Sequence, residues 1–210
     1  MEWSEKQLQI LNVAEDLFAS KGYEGTSVRD IAQKAEVNVA MISYYFGSKE
    51  KLLESLILNK TERTSMVLAD LSHNRELDPW EKMDRIVDYY VDRMLDNRNF
   101  HTIMSRQMSM DQDPAITEML IGVKKKNTAM IADIIREGQQ KKIFRQVNTV
   151  LTICSIVGTI SQASMSRPFY GSLMKLDPHD DESYFRKIRS KLKAHLKSLL
   201  RAHLSITGEQ

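Results

Sequence analysis

The amino-acid sequence predicts an all-α protein of about nine helices. Apolar residues recur at helical spacing through most of the chain, and no segment of useful length alternates with the period of a β-strand. The 210 residues include only 8 Gly and 4 Pro, which disfavours a multi-loop all-β fold. Hydrophobic residues make up 42% of the sequence, so a chain of this length can bury a sizeable core.

The N-terminal fifty residues predict three helices and the start of a fourth. Gly22 ends the first helix, Ser27 and Asp30 form a capping box for the second, and Asn38 and Gly47 bound the third. The second and third helices, with the short break between them, predict a helix-turn-helix, whose second helix can enter the major groove of DNA. Other pairs of short helices imitate this spacing, so the pattern alone is a weak indicator of DNA binding.

The rest of the chain predicts six more helices, several of them opened by a capping residue followed by proline. Their predicted ranges are 48–71, 79–95, 100–110, 114–137, 149–166 and a last helix that includes residues 185–200. Residues 169–181 are predicted to form a loop. The eighth helix is nearly all apolar, and Cys154 within it is expected to be a small buried residue.

Four linked stretches in residues 10–53 resemble the tetracycline-repressor (TetR) family of bacterial transcription regulators. They are Ala14–Tyr23 (AEDLFASKGY), Thr26–Ala32 (TSVRDIA), Ala35–Val37 (AEV) and Tyr44–Leu52 (YYFGSKEKL). The resemblance implies a DNA-binding helix-turn-helix domain in residues 1–52 and a helical domain for ligand binding and dimerisation in residues 53–210. It also implies a homodimer on a palindromic site of double-stranded DNA and, for a repressor, release by a small-molecule effector. The runner-up is a TetR-like activator, or a DNA-binding protein without an effector.

Phosphate contacts are expected at the start of two helices. Thr26 or Ser27 would present a hydroxyl and free backbone N–H groups at the start of the second helix. Lys49 with Ser48 would do the same at the start of the fourth helix. Tyr44 is expected to supply a further hydroxyl, because Ser43 stands where many family members have tyrosine.

Base contacts are expected from the turn and the third helix. Asn38, Ser43 and Arg29 would read bases through hydrogen bonds, although Asn38 also fits the role of a mere helix cap. The other positions near the groove offer only apolar contacts or a close approach of the backbone: Val39, Ala40 and Met41.

A departure from the common family pattern and the charge of residues 1–55 both bear on DNA binding. Glu36 stands where glycine is frequent in the turn, which would cost about 1 kcal/mol if the position requires a positive φ. Residues 1–55 hold six Lys/Arg against nine Asp/Glu, a net charge of −3. DNA binding must therefore use individually placed charges rather than a broad basic field.

The helices from Trp80 onward are expected to receive a small, largely apolar ligand. Ten of the 12 methionines follow residue 60, and methionine adapts to irregular apolar surfaces, although it is more often a core filler. The expected ligand-binding residues are Tyr90, Met94, His101, Met104, Gln107 and Met130, with Arg106 as a further polar candidate. The sequence implies no cofactor.

Other function classes are weaker. His179, Asp180, Asp181 and Glu182 resemble hard-metal ligands, but no paired ligand spacing, phosphate-binding glycine loop or nucleophile elbow supports an enzyme. The basic segment 186–201 fits a solvated helix face, and alternatively a nucleic-acid or membrane surface. The start of the chain lacks a signal-peptide pattern, so a cytoplasmic protein with no membrane partner is expected.

Overall fold

The computed structural model describes residues 3–110, 113–176 and 180–206. Within these ranges the chain forms ten α-helices and one isolated β-bridge, between Phe144 and Ser205. The helices are α1 (Glu5–Lys21), α2 (Val28–Lys34), α3 (Val39–Phe46), α4 (Lys49–His73), α5 (Pro79–Asp96), α6 (Arg98–Met110), α7 (Pro114–Gln140), α8 (Thr149–Met165), α9 (Arg167–Leu173) and α10 (Asp181–Leu204). The all-α prediction is confirmed.

Local capping chemistry explains most helix boundaries. The Ser27 hydroxyl accepts a bond from the Asp30 N–H, while the Asp30 carboxylate accepts one from the Ser27 N–H. Asn38 caps α3 by accepting from the Ala40 N–H at 2.9 Å. Gly22 and Gly47 end α1 and α3 with φ of 80° and 81°, a region that favours glycine.

Other helix ends lie within two residues of the sequence prediction, but two boundaries differ more. The segment predicted as a loop after residue 168 begins with the helix α9, because a proline in the first helical turn lacks only an N–H that would be unpaired there anyway. The helix α7 continues to Gln140 rather than ending at Gly138. Gly138 instead admits the Phe144 ring, whose nearest atom would lie 2.2 Å from an added Cβ.

The chain divides into two compact units, and the division falls inside α4 and α7. The first unit is Met1–Thr64 with Asn99–Val123, and the second is Ser65–Arg98 with Lys124–Gln210. In the first unit, α1, α2 and α3 pack around one apolar core. In the second, α5, α8 and α10 enclose another.

A ladder of ion pairs joins α5 to α10 in the second unit. The acidic residues of α5 repeat every four positions, as do their partners on α10, so the two charged stripes face each other along antiparallel helices. The pairs are Asp84–Arg201 at 2.8 Å, Asp88–Lys197 at 2.7 Å, Asp92–Lys193 at 2.7 Å, Asp92–Arg189 at 2.6 Å and Asp96–Arg189. Four of the seven cations in residues 186–201 are therefore paired with α5, which favours a solvated helix face over a nucleic-acid or membrane surface, while Arg186, Lys187 and Lys191 stay exposed.

Asp92 accepts bonds from two cations in this ladder. Burial raises the pKa of its carboxyl, but hydrogen bonds and charges from Lys193 and Arg189 outweigh burial and hold the pKa below its ordinary value of 3.8. A folded pKa below the unfolded one contributes stability that is complete above the unfolded value. The contribution is lost as the pH falls through the folded pKa.

The helix α8 exposes one apolar side. Cys154 is exposed rather than buried, because the three- and four-residue spacing of the buried positions Ile153, Ile156 and Ile160 places it on the opposite face. Along the described residues, none of the helices taken singly is both long and apolar enough to span a membrane. The pair of α8 and α9 satisfies those criteria jointly, with an 85° bend between them.

Charge reversal within the ladder tests its contribution. We expect Asp88→Lys to lower the free energy of unfolding by about 1 kcal/mol, because it removes a partly exposed pair and faces Lys197 with a like charge. Adding Lys197→Asp should restore most of that loss in urea unfolding. Asp70→Lys, at an exposed position of α4 in the same unit, provides the control. A double variant as unstable as the sum of the single ones would contradict the ladder.

Candidate nucleic-acid interface

The helix-turn-helix rests on α1 through buried contacts. Ile31, Ile42 and Phe46 turn inward to the core that α1 supplies. The Gln9 side chain of α1 donates a hydrogen bond of 2.9 Å to the carbonyl oxygen of Ala35, at the end of α2. These contacts fix the angle between α2 and α3 and leave the opposite face of α3 to solvent.

The exposed face of α3 carries most of the predicted base-reading residues. Tyr44 is 84% exposed, and Val39, Ala40 and Ser43 are also exposed, whereas Met41 is half-buried. Each reaches solvent because Ile42 and Phe46, four positions apart, define the buried side of this short helix. The arrangement presents one polar and aromatic helix face that fits a major groove.

Three further predicted contacts surround that face. Arg29 is exposed on the first turn of α2. Ser27 is exposed, but its side chain is engaged with Asp30 in the capping box, at 2.6 Å. Asn38 uses Oδ1 to cap α3, which leaves its Nδ2 group as the donor available to a base edge.

The structure corrects the expectation for Thr26. Its side chain is 1% exposed, and its hydroxyl donates to the carbonyl oxygens of Leu17 at 3.2 Å and Gly22 at 2.8 Å. Thr26 therefore satisfies carbonyl groups near the end of α1 and holds the loop before α2, rather than presenting a hydroxyl to phosphate.

Lys49 has a supporting position as well. Its ammonium donates to the carbonyl oxygens of Tyr23 at 3.1 Å and Thr26 at 3.3 Å, and it lies 4.0 Å from the centroid of the Tyr23 ring. Charged hydrogen bonds of this kind contribute about 1.5–3 kcal/mol each. Lys49 thereby ties the start of α4 to the loop that carries α2.

Side chains of the protein itself form hydrogen bonds at the start of α4, where a phosphate contact is expected. The Ser48 hydroxyl accepts from the Lys51 N–H at 3.2 Å, and the Tyr23 hydroxyl donates to the Glu50 carboxylate at 3.1 Å. Hydrogen bonds from Ser48, from the backbone and from Tyr23 hold the pKa of Glu50 below its usual range. An ionised carboxylate thus already occupies the helix end at which a phosphate was expected.

Glu36 does adopt the strained conformation that its position suggested. Its φ is 51°, in the left-handed region that side chains other than glycine adopt at a cost of about 1–2 kcal/mol. The turn between α2 and α3 therefore stores strain that the surrounding core contacts must offset.

Internal pairing takes up several of the carboxylates behind the negative net charge. Glu15, itself buried, pairs with Lys60 of α4 at 2.6 Å, and Asp16 pairs with Lys34 at 3.6 Å. Glu54 pairs with Lys51 at 2.7 Å. Lys34 and Lys51 are already counted in the net charge of −3, so of the three lysines only Lys60 offsets it, and none of the pairs places a cation on the exposed face of α3.

The six predicted ligand-binding residues belong to different units. Tyr90, Met94 and Met130 pack in or against the core of the second unit. Burial raises the pKa of Tyr90 to about 12, so its hydroxyl stays protonated in apolar surroundings. The other three, His101, Met104 and Gln107, belong to the first unit.

The metal-ligand hypothesis finds no support in the described residues. His179 lies outside them, and Asp180 accepts from the Ser183 N–H at 2.8 Å as the cap of α10. Among the residues that the structure describes, no group of three or more His, Cys, Asp or Glu side chains could hold a metal ion.

Sequence reasoning missed the supporting role of Arg106. This residue of α6 donates a hydrogen bond of 2.7 Å to the carbonyl oxygen of Ala19, in the last turn of α1. A cation at a helix C-terminus satisfies a carbonyl and complements the helix dipole. No local signal connects positions 87 residues apart, so only the tertiary structure shows this contact.

The fold and the exposed face of α3 define a helix-turn-helix DNA-binding protein. Residues 10–56 match the family model for bacterial regulatory proteins of the tetR family, and residues 76–165 match the tetracyclin repressor-like C-terminal domain. The chain belongs to the TetR family of transcriptional regulators.

Individual relatives agree with this assignment. A probable HTH-type transcriptional regulator of Bacillus subtilis, YttP, is 27% identical over 195 residues, which cover 92% of this chain and 93% of that protein. The HTH-type transcriptional repressor NicS of Pseudomonas putida is 28% identical over 141 residues, covering 65% of this chain and 64% of NicS.

Solved structures show the same fold at low sequence identity. The ketosteroid transcriptional regulator KstR2 of Mycobacterium tuberculosis is 17% identical with a TM-score of 0.72, covering 98% of this chain and 97% of that one. The fatty acid degradation regulator FadR of Bacillus halodurans is 23% identical with a TM-score of 0.70, covering 96% and 99%.

Proposed function

We propose that this TetR-family regulator binds a palindromic operator as a homodimer, represses transcription there, and is released by a small, largely apolar ligand. The observation that carries the DNA-binding part is the outward face of α3, with Tyr44 at its most exposed point. Asn38, Ser43 and Arg29 supply polar groups around this face, which gives it the means to distinguish base edges. A regulator that acts on DNA would work in the cytoplasm of a bacterium.

The proposed roles separate bases from phosphates. The amide of Asn38 and the hydroxyl of Ser43 read base edges, whereas the Tyr44 hydroxyl donates to a phosphate. The half-buried Met41 and the exposed Val39 add apolar contact, for which a thymine methyl is the natural partner.

Sequence selection from random duplex DNA, followed by gel shifts, tests these roles. We expect Tyr44→Phe to weaken every sequence alike by about fivefold, the loss of one hydrogen bond of ~1 kcal/mol. Asn38→Ser and Ser43→Ala, tested as separate variants, should each relax base preference at one position per half-site. Serine at position 38 still offers an acceptor that caps α3. Ser190→Ala, at an exposed position of α10, is the control. Selection of no common sequence, or unaltered preference in both base-reading variants, would contradict the proposal.

The exposed apolar side of α8 and α9 supports the dimer. Its large side chains are Val150, Leu151, Met165, Phe169 and Leu173. This amount of exposed hydrocarbon is unfavourable in water unless another surface covers it. An open cavity with a volume of about 480 Å³, lined by residues of α8, α9 and α10, lies in the same unit. A second copy of the chain, with α8 and α10 packed against their counterparts, would bury both features in a two-fold symmetric contact.

A charged substitution on this side should separate the subunits. Leu151→Glu is expected to produce a monomer in light scattering at micromolar concentration. It should also weaken operator binding, because a monomer places only one α3 helix in one half-site. Met66→Glu is the matched control, since the exposed fraction of Met66 is 61% against 62% for Leu151 and both residues belong to the second unit. Dimers that persist in Leu151→Glu would place the interface elsewhere.

Effector control is supported by the adaptable side chains of the second unit. Met94 and Met130 can rearrange around an apolar guest, and Tyr90, which packs against the same core, adds a hydroxyl that can hydrogen-bond to it. Such a ligand shifts the protein only if it binds the DNA-free and DNA-bound states with different affinities. A reporter gene placed behind the selected site distinguishes repression from activation.

A further inference from the structure

A cavity of about 350 Å³ lies within the first unit, beside the loop that joins α1 to α2. Its walls come from the end of α1, the loop itself, the first turns of α4 and the C-terminal half of α6. The volume is at the lower end of the range for small-molecule sites. Of the residues expected to bind a ligand, Gln107 and the further candidate Arg106 line this cavity.

Much of the cavity wall is apolar. Phe18, Leu53 and Ile103, from three different helices, contribute buried hydrocarbon, and Met110 lies at an exposed edge. The Tyr23 ring adds an aromatic wall whose position is fixed by the Lys49 ammonium. These surfaces favour a guest with a compact apolar body.

The charged side chains of the wall carry a net charge of +1. Arg106 and Lys21 contribute two positive charges to the lining, against one carboxylate from Glu24. One N–H of Arg106 is bonded to Ala19, but a guanidinium has five donors and pairs with carboxylates in a bidentate geometry.

A buried amide completes the polar wall. The Gln107 side chain is only 5% exposed, and its Nε2 donates to the carbonyl oxygen of Asp113 at 3.2 Å. That bond uses one of its donors, and within the described residues its Oε1 and second N–H are left for a guest. A buried polar group of this kind favours a guest that carries its own polar head over a plain hydrocarbon.

We propose that this cavity binds a small organic acid. The carboxylate of the acid pairs with Arg106 and Lys21, and its apolar body lies against the side chains of α1, α4 and α6. The bound acid contacts the loop between α1 and α2, and α3 packs on α2, so the site lies next to the loop that helps to position α3. Binding is measured on the free protein, and its outcome is therefore independent of the proposed DNA function.

Calorimetric titration of the full chain with 4-phenylbutyrate and with its neutral amide, 4-phenylbutanamide, tests the proposal. We expect the amide to bind about tenfold more weakly than the acid, because it cannot form a charge-assisted pair. Arg106→Gln and Lys21→Gln should each weaken binding of the acid by about fivefold. Arg63→Gln, the same change at an exposed residue of α4 outside the cavity, should leave the affinity unchanged.

Methyl NMR locates the bound acid. The resonances of Met110 and Ile103 should shift during the titration, with that of Met66 as the unaffected reference. Lys21 is exposed, so Lys21→Gln keeps the test decisive if Arg106→Gln lowers stability through the lost contact with Ala19. The proposal is overturned if 4-phenylbutyrate does not bind, if acid and amide bind equally, if both cavity variants bind normally, or if the shifts lie at methyl groups outside the cavity.

Discussion

The contact between the Lys49 ammonium and the carbonyl oxygens of Tyr23 and Thr26 constrains the helix-turn-helix of the first unit. It joins the first residue of α4 to the loop that ends immediately before α2. The Thr26 hydroxyl ties the same loop back to α1, and Arg106 satisfies the Ala19 carbonyl in the last turn of that helix. Lys49 and Thr26 thus hold this short loop, and Arg106 supports the end of the helix from which it starts. Because α3 packs on α2, the direction of the exposed reading face depends on that loop.

Charge is distributed differently in the two units. In the first, carboxylates are engaged by capping boxes, by Tyr23 or by lysines, and the exposed face of α3 is polar rather than strongly cationic. In the second, the basic residues of α10 pair with the acidic stripe of α5. DNA affinity in such a protein would rest on a few well-placed hydrogen bonds, with Arg29 exposed on the first turn of α2, and its dependence on salt would be correspondingly shallow.

The sequence alone predicts contacts between neighbouring residues, but it does not predict contacts between residues that are far apart in the chain. The caps at Ser27 and Asn38 and the glycine ends at Gly22 and Gly47 depend on neighbours within four residues, and the structure confirms them. The strain at Glu36 also followed from one position. These local signals account for the helix-turn-helix and for most helix boundaries.

The remaining differences come from partners distant in sequence or from the orientation of a whole helix. Lys49 and Thr26 have residue types suited to phosphate, but carbonyl groups of the folded loop engage both. Cys154 lies in an apolar sequence yet on the outer face of α8, and composition cannot distinguish a core from an uncovered surface. The ligand candidates share residue types that suit an apolar pocket with polar anchors, but residue type carries no information on the unit to which each belongs.

Amide hydrogen exchange in residues 22–30 tests the supporting role of Lys49 most directly. We expect faster exchange of this segment in Lys49→Met, because the loop before α2 loses the ammonium that bonds two of its carbonyls. Lys51→Met, at an exposed lysine two residues further along α4, should exchange as the unaltered protein does. Unchanged protection of residues 22–30 in Lys49→Met would show that Lys49 does not hold this loop.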